Sequence, residues 1–181
     1  MDLEQEYIEQ YKQAHTDSSK FPGVSLGKEI PQIEILVNKH NAKTVLDYGC
    51  GKGRQYTVNH ANRRFNIEDE NIFLYDPGFP EHSTLPDGPF CGVISTDVLE
   101  HVPAVAIPKT LTQMFERAEK FVYLAICTRL AIQILPNGEN AHCTVEHPDW
   151  WEEHILKANV NKIHTEAHWY GGPRDYRRYF N

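Results

Sequence analysis

The chain has 181 residues, with 18 Lys and Arg against 25 Asp and Glu for a net charge of −7. That length suits one domain with one sizeable core. The acidic balance argues against nucleic acid or an anionic membrane as the main partner, and no apolar run approaches the roughly 20 residues that cross a bilayer.

Residues 3–14 put Leu3, Tyr7, Ile8 and Tyr11 on one side of an expected helix. The turn-rich SSKFPGVSLG follows. Ile33, Leu36 and Val37 mark a second helix, with Pro31 in its first turn, where a missing N–H costs nothing. Thr44 to Leu46 form a short buried strand, and a polar helix is expected from about Arg54 to Arg63. IFLY, 72–75, is a second strand, ended by Asp76, Pro77 and Gly78, and CGVIST, 91–96, is a third. Ile107, Leu111, Met114, Phe115 and Ala118 recur at helical spacing behind Pro108. FVYLAIC, 121–127, is the clearest strand. A long loop, a helix over 148–158 and two strands near 162–169 and 175–180 complete the chain.

Strands too apolar to face water, alternating with helices, predict a parallel sheet covered on both faces. The connection Gly171-Gly172-Pro173 is too short for a crossover, so the last two strands should pair antiparallel. The expected fold is a doubly wound, mostly parallel α/β sheet with an antiparallel C-terminal edge.

The four cysteines, Cys50, Cys91, Cys127 and Cys143, lie far apart, and no CxxC pair occurs. The opening MDLEQEYIEQ lacks the basic-then-apolar order of an export signal. Reduced thiols in the cytoplasm are therefore expected.

The densest signal is TVLDYGCGKG, 44–53, with Gly49, Gly51 and Gly53 straight after the first strand. Glycines there let the backbone turn sharply and approach a ligand, at the mouth where open α/β sheets bind. Asp76, at the end of the second strand, is placed to accept hydrogen bonds from both hydroxyls of a ribose. A dinucleotide fingerprint needs G-x-G-x-x-G. Here the spacing is G-x-G-x-G and Arg54 stands where the third dinucleotide glycine belongs, which disfavours a pyrophosphate and suits a nucleoside with an amino-acid tail.

VLDYGCGKG, then FLYDPG, then GVISTDVLEHVP, then FVYLAICT resemble the ordered motifs of class I S-adenosylmethionine-dependent methyltransferases, over roughly residues 42–127. The nearest likeness is to a small-molecule branch whose fourth motif reads D-V-L-E-H. The resemblance implies S-adenosyl-L-methionine as cofactor. Asp47, Gly49, Cys50, Gly51 and Gly53 would hold its methionine part, Asp76 and Pro77 its ribose side, and Thr96, Asp97, Val98 and Leu99 the region beside the transferable methyl. Family members place a helix and a strand between the ribose-binding acid and the fourth motif. Only 20 residues separate Asp76 from Asp97 here, so a trimmed sheet edge and an adenine pocket built from a loop, with Asp87 as a candidate, are expected.

His101 and His142 are the candidate catalytic groups, because histidine titrates near neutrality. Asp97 and Glu100 have the D-x-x-E spacing of a helix capping box. His147, His154 and Cys143 could be metal ligands, but no recognised ligand spacing appears and no metal is expected. Tyr7, Tyr11 and His15, four apart, suggest a lid over cofactor and acceptor, and Arg174, Arg177 and Arg178 a basic rim for an acidic acceptor. The expected layout is an N-terminal lid over 1–41, a cofactor-binding core over 42–127 and an acceptor-side segment over 128–181. The expected activity is methyl transfer to a small molecule by in-line displacement. The alternatives are a regulatory binding protein without turnover and another S-adenosylmethionine-consuming enzyme such as a lyase.

Overall fold

The computed structural model describes residues 2–17, 20–21, 23–172 and 175–180. In chain order they form α1 (Leu3–His15), α2 (Ile30–Lys39), β1 (Val45–Tyr48), α3 (Arg54–Thr57), α4 (Ala61–Phe65), β2 (Ile72–Tyr75), β3 (Phe90–Thr96), α5 (Ile107–Arg117), β4 (Ala118–Cys127), α6 (Pro148–Ala158), β5 (His164–Tyr170) and β6 (Tyr176–Phe180). Asp2 starts α1 by accepting the Gln5 N–H at 2.9 Å. Pro31, Pro108 and Pro148 sit in the first turns of α2, α5 and α6.

The sheet order is β2-β1-β3-β4-β5-β6. All neighbours run parallel except β5 and β6, so the doubly wound sheet with an antiparallel C-terminal edge is present. Side chains along β4 alternate between faces. Val122, Leu124 and Ile126 join the core that includes Leu111, Met114, Trp151 and Trp169. Phe121, Tyr123 and Ala125 join the core that includes Ile33, Leu36, Val37 and Phe65. No described helix is long and apolar enough to cross a membrane.

Two local expectations change. The helix expected over 54–63 is two short ones, because His60 adopts φ +49° and ends the hydrogen-bond ladder between them. No helix caps on Asp97 and Glu100. That stretch is a tight 3-10 turn, Leu99–His101, without a side-chain cap, and the buried Glu100 side chain instead accepts the Cys127 N–H at 2.9 Å.

The sheet edge is trimmed as expected: β2 is the outermost strand, and only a short turn, Pro80–His82, lies between it and β3. The strand order reverses at β1, which is flanked by β2 and β3. Ligands of such sheets bind at this reversal, beyond the carboxyl ends of the strands.

Candidate functional site

A cleft of about 500 Å³ opens at the carboxyl ends of β1 to β4 and is partly roofed by α1. Gly49, Gly51 and Gly53 all take positive φ (+89°, +56° and +61°), so the chain reverses after β1 as only glycine does cheaply. The reasons for glycine differ by position. A Cβ on Gly49 would lie 2.2 Å from Val98 Cγ2, and one on Gly53 would lie 3.0 Å from Leu74 Cδ1. Among the described residues a Cβ on Gly51 would meet only His15 Cε1, at 3.9 Å, and this backbone lines the cleft.

Asp76 ties the two turns together. Its Oδ2 accepts the Gly51 N–H and its Oδ1 the Gly78 N–H, each at 2.8 Å. The Gly49 and Cys50 amides donate to Tyr75 O at 2.7 and 3.1 Å. Burial raises the Asp76 pKa, opposed by His15 and by the two backbone amides. Burial also pushes Asp47 up to about 7, against the hydroxyl of Tyr56, which donates to it at 3.0 Å. After β3, Asp97 adopts φ +58°, and Lys28 Nζ stands 4.0 Å from its Oδ2. A non-glycine residue in this conformation is strained, and such residues concentrate at functional sites.

On the opposite wall, Tyr11 Oη and His101 Nδ1 lie 3.1 Å apart, and both donate to Ala141 O, at 2.6 and 2.9 Å. A carbonyl only accepts, so the ring proton of His101 is assigned to Nδ1 and its Nε2 carries the lone pair. Burial, with His142 adding to it, pushes His101 down to about 3 and keeps it neutral. His142 packs edge-on against it, ring centroids 4.7 Å apart. Tyr7 Oη donates to Glu139 Oε2 at 2.7 Å and the Asn137 N–H to Gln10 Oε1 at 2.9 Å, fastening α1 across the cleft to the loop after β4.

A family model described as a methyltransferase domain matches residues 28–170. The chain belongs to the class I S-adenosylmethionine-dependent methyltransferases. Comparisons with curated proteins and with solved structures gave no match. S-adenosylmethionine is the methyl donor of this methyltransferase, and the residues present fit such a group. The open space beside Gly51 is where a Cβ would intrude, and the Asp76 carboxylate spends one bond per oxygen on the two turns, leaving lone pairs to accept others.

Of the sequence-predicted residues, Asp47, Gly49, Cys50, Gly51, Asp76, Pro77, Thr96, Asp97, Val98, His101, His142, Tyr7 and Tyr11 line the cleft. Gly53 and Leu99 do not; Gly53 turns toward Leu74 and His82 and Leu99 is buried in the core beneath. His15 lies beside the cleft-lining turns, near Gly51 and Gly78. Asp87 is exposed and outside the cleft, in a stretch held at the end of α5, where Arg117 Nε donates to Pro86 O at 3.1 Å.

The basic rim is not free. Arg177 binds Glu29 and Arg178 binds Glu152, each at 3.1 Å, and Arg174 lies outside the described residues. Lys28 and Arg129 supply the positive charge at the cleft instead. They follow from neither a motif nor a charge run, but Arg129 comes two residues beyond β4, where the strand-end rule points. His147, His154 and Cys143 are not gathered: His147 accepts the Asp149 N–H at the start of α6, and His154 stacks on Trp150.

Proposed function

We propose that this methyltransferase acts on a small molecule held between the glycine turn and α1. The observation that carries this reading is the roof. Tyr7 and Tyr11 of α1 donate hydrogen bonds to Glu139 and to Ala141 O on the far wall, and the roofed cleft of about 500 Å³ must take cofactor and acceptor together. A single small-ligand site already occupies ~300–1,000 Å³, so the space beside the cofactor suits only a small acceptor. Ile8 and Phe21 line that space, and Val24, Leu130 and Ile132 stand exposed at its rim, which favours an acceptor with an apolar body.

In this reading Asp76 accepts from the ribose hydroxyls, the Gly49–Gly51 backbone borders the methionine part, and Asp47 faces its ammonium. Bound there, S-adenosylmethionine supplies an electrophilic methyl group on a sulfonium. The protein's contribution is alignment and exclusion of water. His101 offers Nε2 as a neutral acceptor that orients the nucleophile; with its pKa near 3 it positions a proton better than it removes one. His142 holds that ring edge-on, and α1 closes the site as a lid.

Asp47 makes cofactor affinity depend on pH. Its carboxyl ordinarily titrates at 3.8 but holds its proton up to about 7 in the folded chain. An ammonium group needs the ionised form, so binding of S-adenosylhomocysteine should weaken about tenfold from pH 8 to pH 6. In the free protein the sign is reversed, because raising the pH from about 4 to 7 ionises Asp47 more readily in the unfolded chain and costs stability. Calorimetric titrations across this range check the slope; an affinity flat in pH contradicts the placement of Asp47.

Incubation with methyl-labelled cofactor and a fractionated cell extract tests the acceptor class. Label is expected in a small molecule that passes a filtration membrane. Label confined to protein or nucleic acid contradicts the reading, as does cofactor breakdown without any acceptor.

A further inference from the structure

The tight turn after β3, the end of β4 and the loop after β4 bring together three residues far apart in sequence. Glu100, Cys127 and His142 each offer a ligand atom, and these atoms lie within 4.8 Å of one another. None of their spacings in the sequence resembles a metal motif.

Each member is prepared in a different way. Glu100 is fully buried. Its Oε1 accepts the Cys127 N–H at 2.9 Å, but its buried Oε2 has no hydrogen-bond partner among the described residues. A buried polar atom left so costs about 1–3 kcal/mol, more for a charged group. His142 donates its Nδ1–H to Arg129 O at 2.6 Å. That bond fixes the tautomer with the lone pair on Nε2, the arrangement a backbone carbonyl gives to metal-ligating histidines. Cys127 is buried, and among the described residues its Sγ makes one long hydrogen-bond contact, 3.9 Å, to Arg129 O.

We infer that Glu100, Cys127 and His142 bind one divalent metal ion, zinc by the chemistry of the donors. One carboxylate oxygen, one imidazole nitrogen and one thiolate sulfur suit this borderline-soft ion, and three protein ligands leave a fourth position of a tetrahedron open. Cys127 and His142 line the cleft and Glu100 stands behind them. The open position therefore belongs to a water or to an oxygen of the acceptor, so the site extends the small-molecule reading while its existence does not depend on it.

The test uses the full-length protein stripped of metal and titrated with Zn²⁺ by calorimetry and with Co²⁺ by absorption spectroscopy. The expected result is one ion per chain, with a thiolate-to-cobalt charge-transfer band. Partners outside the ligand shell are worth about 10–100-fold in metal affinity, so loss of a ligand should cost at least that. Cys127→Ser should abolish the band and weaken zinc by at least about a hundredfold. His142→Gln, at a half-exposed loop position, should also weaken zinc, whereas Cys143→Ser should leave both ions bound; circular dichroism establishes that each variant is folded. Absence of stoichiometric uptake overturns the inference, as does a band that survives Cys127→Ser or vanishes in Cys143→Ser. S-adenosylhomocysteine affinity is measured on the same metal-free protein, so failure of the metal site and failure of the cofactor site give separate results.

Discussion

Asp76→Asn is expected to weaken S-adenosylhomocysteine by at least about a hundredfold in a chain that still unfolds cooperatively. The carboxylate has two tasks in the proposed site. It fastens the turn after β1 to the turn after β2 through the Gly51 and Gly78 amides, and its remaining lone pairs face the ribose. A hydrogen bond to a charged group is worth about 1.5–3 kcal/mol, so losing the pair to a diol amounts to about two to four powers of ten. An amide cannot replace either function. Whichever way it is turned, its NH2 opposes a backbone N–H, and one of the two turns loses its acceptor. Wild-type affinity in a folded Asp76→Asn protein contradicts the ribose assignment.

Gly51→Val should abolish cofactor binding while the fold persists. The position has φ +56° and open space where a Cβ would go. A β-branched residue there costs about 1–3 kcal/mol in backbone strain, a lowered melting temperature but not an unfolded protein, and its methyls fill the volume the cofactor requires. Gly49→Ala makes the contrast. Its Cβ would lie 2.2 Å from Val98 Cγ2, so the damage falls on the packing of the turn whether or not cofactor is present. Calorimetry and thermal unfolding of the two variants separate a glycine kept for a ligand from one kept for a neighbour. Unchanged affinity in folded Gly51→Val contradicts the pocket.

What was legible in the sequence was local. The bounds of β2 and α6 match their expected ranges because Pro77-Gly78 ends the one and Pro148 opens the other. The glycine turn and Asp76 were legible because left-handed turns and strand-end acids leave residue-type signatures. The break at His60 was not, since an Asn-His pair carries no strong stop signal although the backbone there is left-handed. Gly53 resembled a cofactor contact because spacing shows that a glycine is needed but not which way a Cβ would point. Asp97 and Glu100 have the spacing of a cap, yet burial draws Glu100 to the end of β4. The gathering of Glu100, Cys127 and His142 exists only in the fold.

α1 links the two halves of the account. Tyr7 and Tyr11 reach the loop after β4, and His15, four residues on, packs beside the glycine turn. One helix thus touches both the wall proposed for the acceptor and the turn proposed for the cofactor.

The most direct measurement is a crystal structure of the protein with S-adenosylhomocysteine. The account predicts the ligand across the carboxyl ends of β1 and β2, with both ribose hydroxyls on Asp76 and its amino-acid part along Gly49–Gly51. Density showing the ribose away from Asp76, or the ligand outside this cleft, contradicts it.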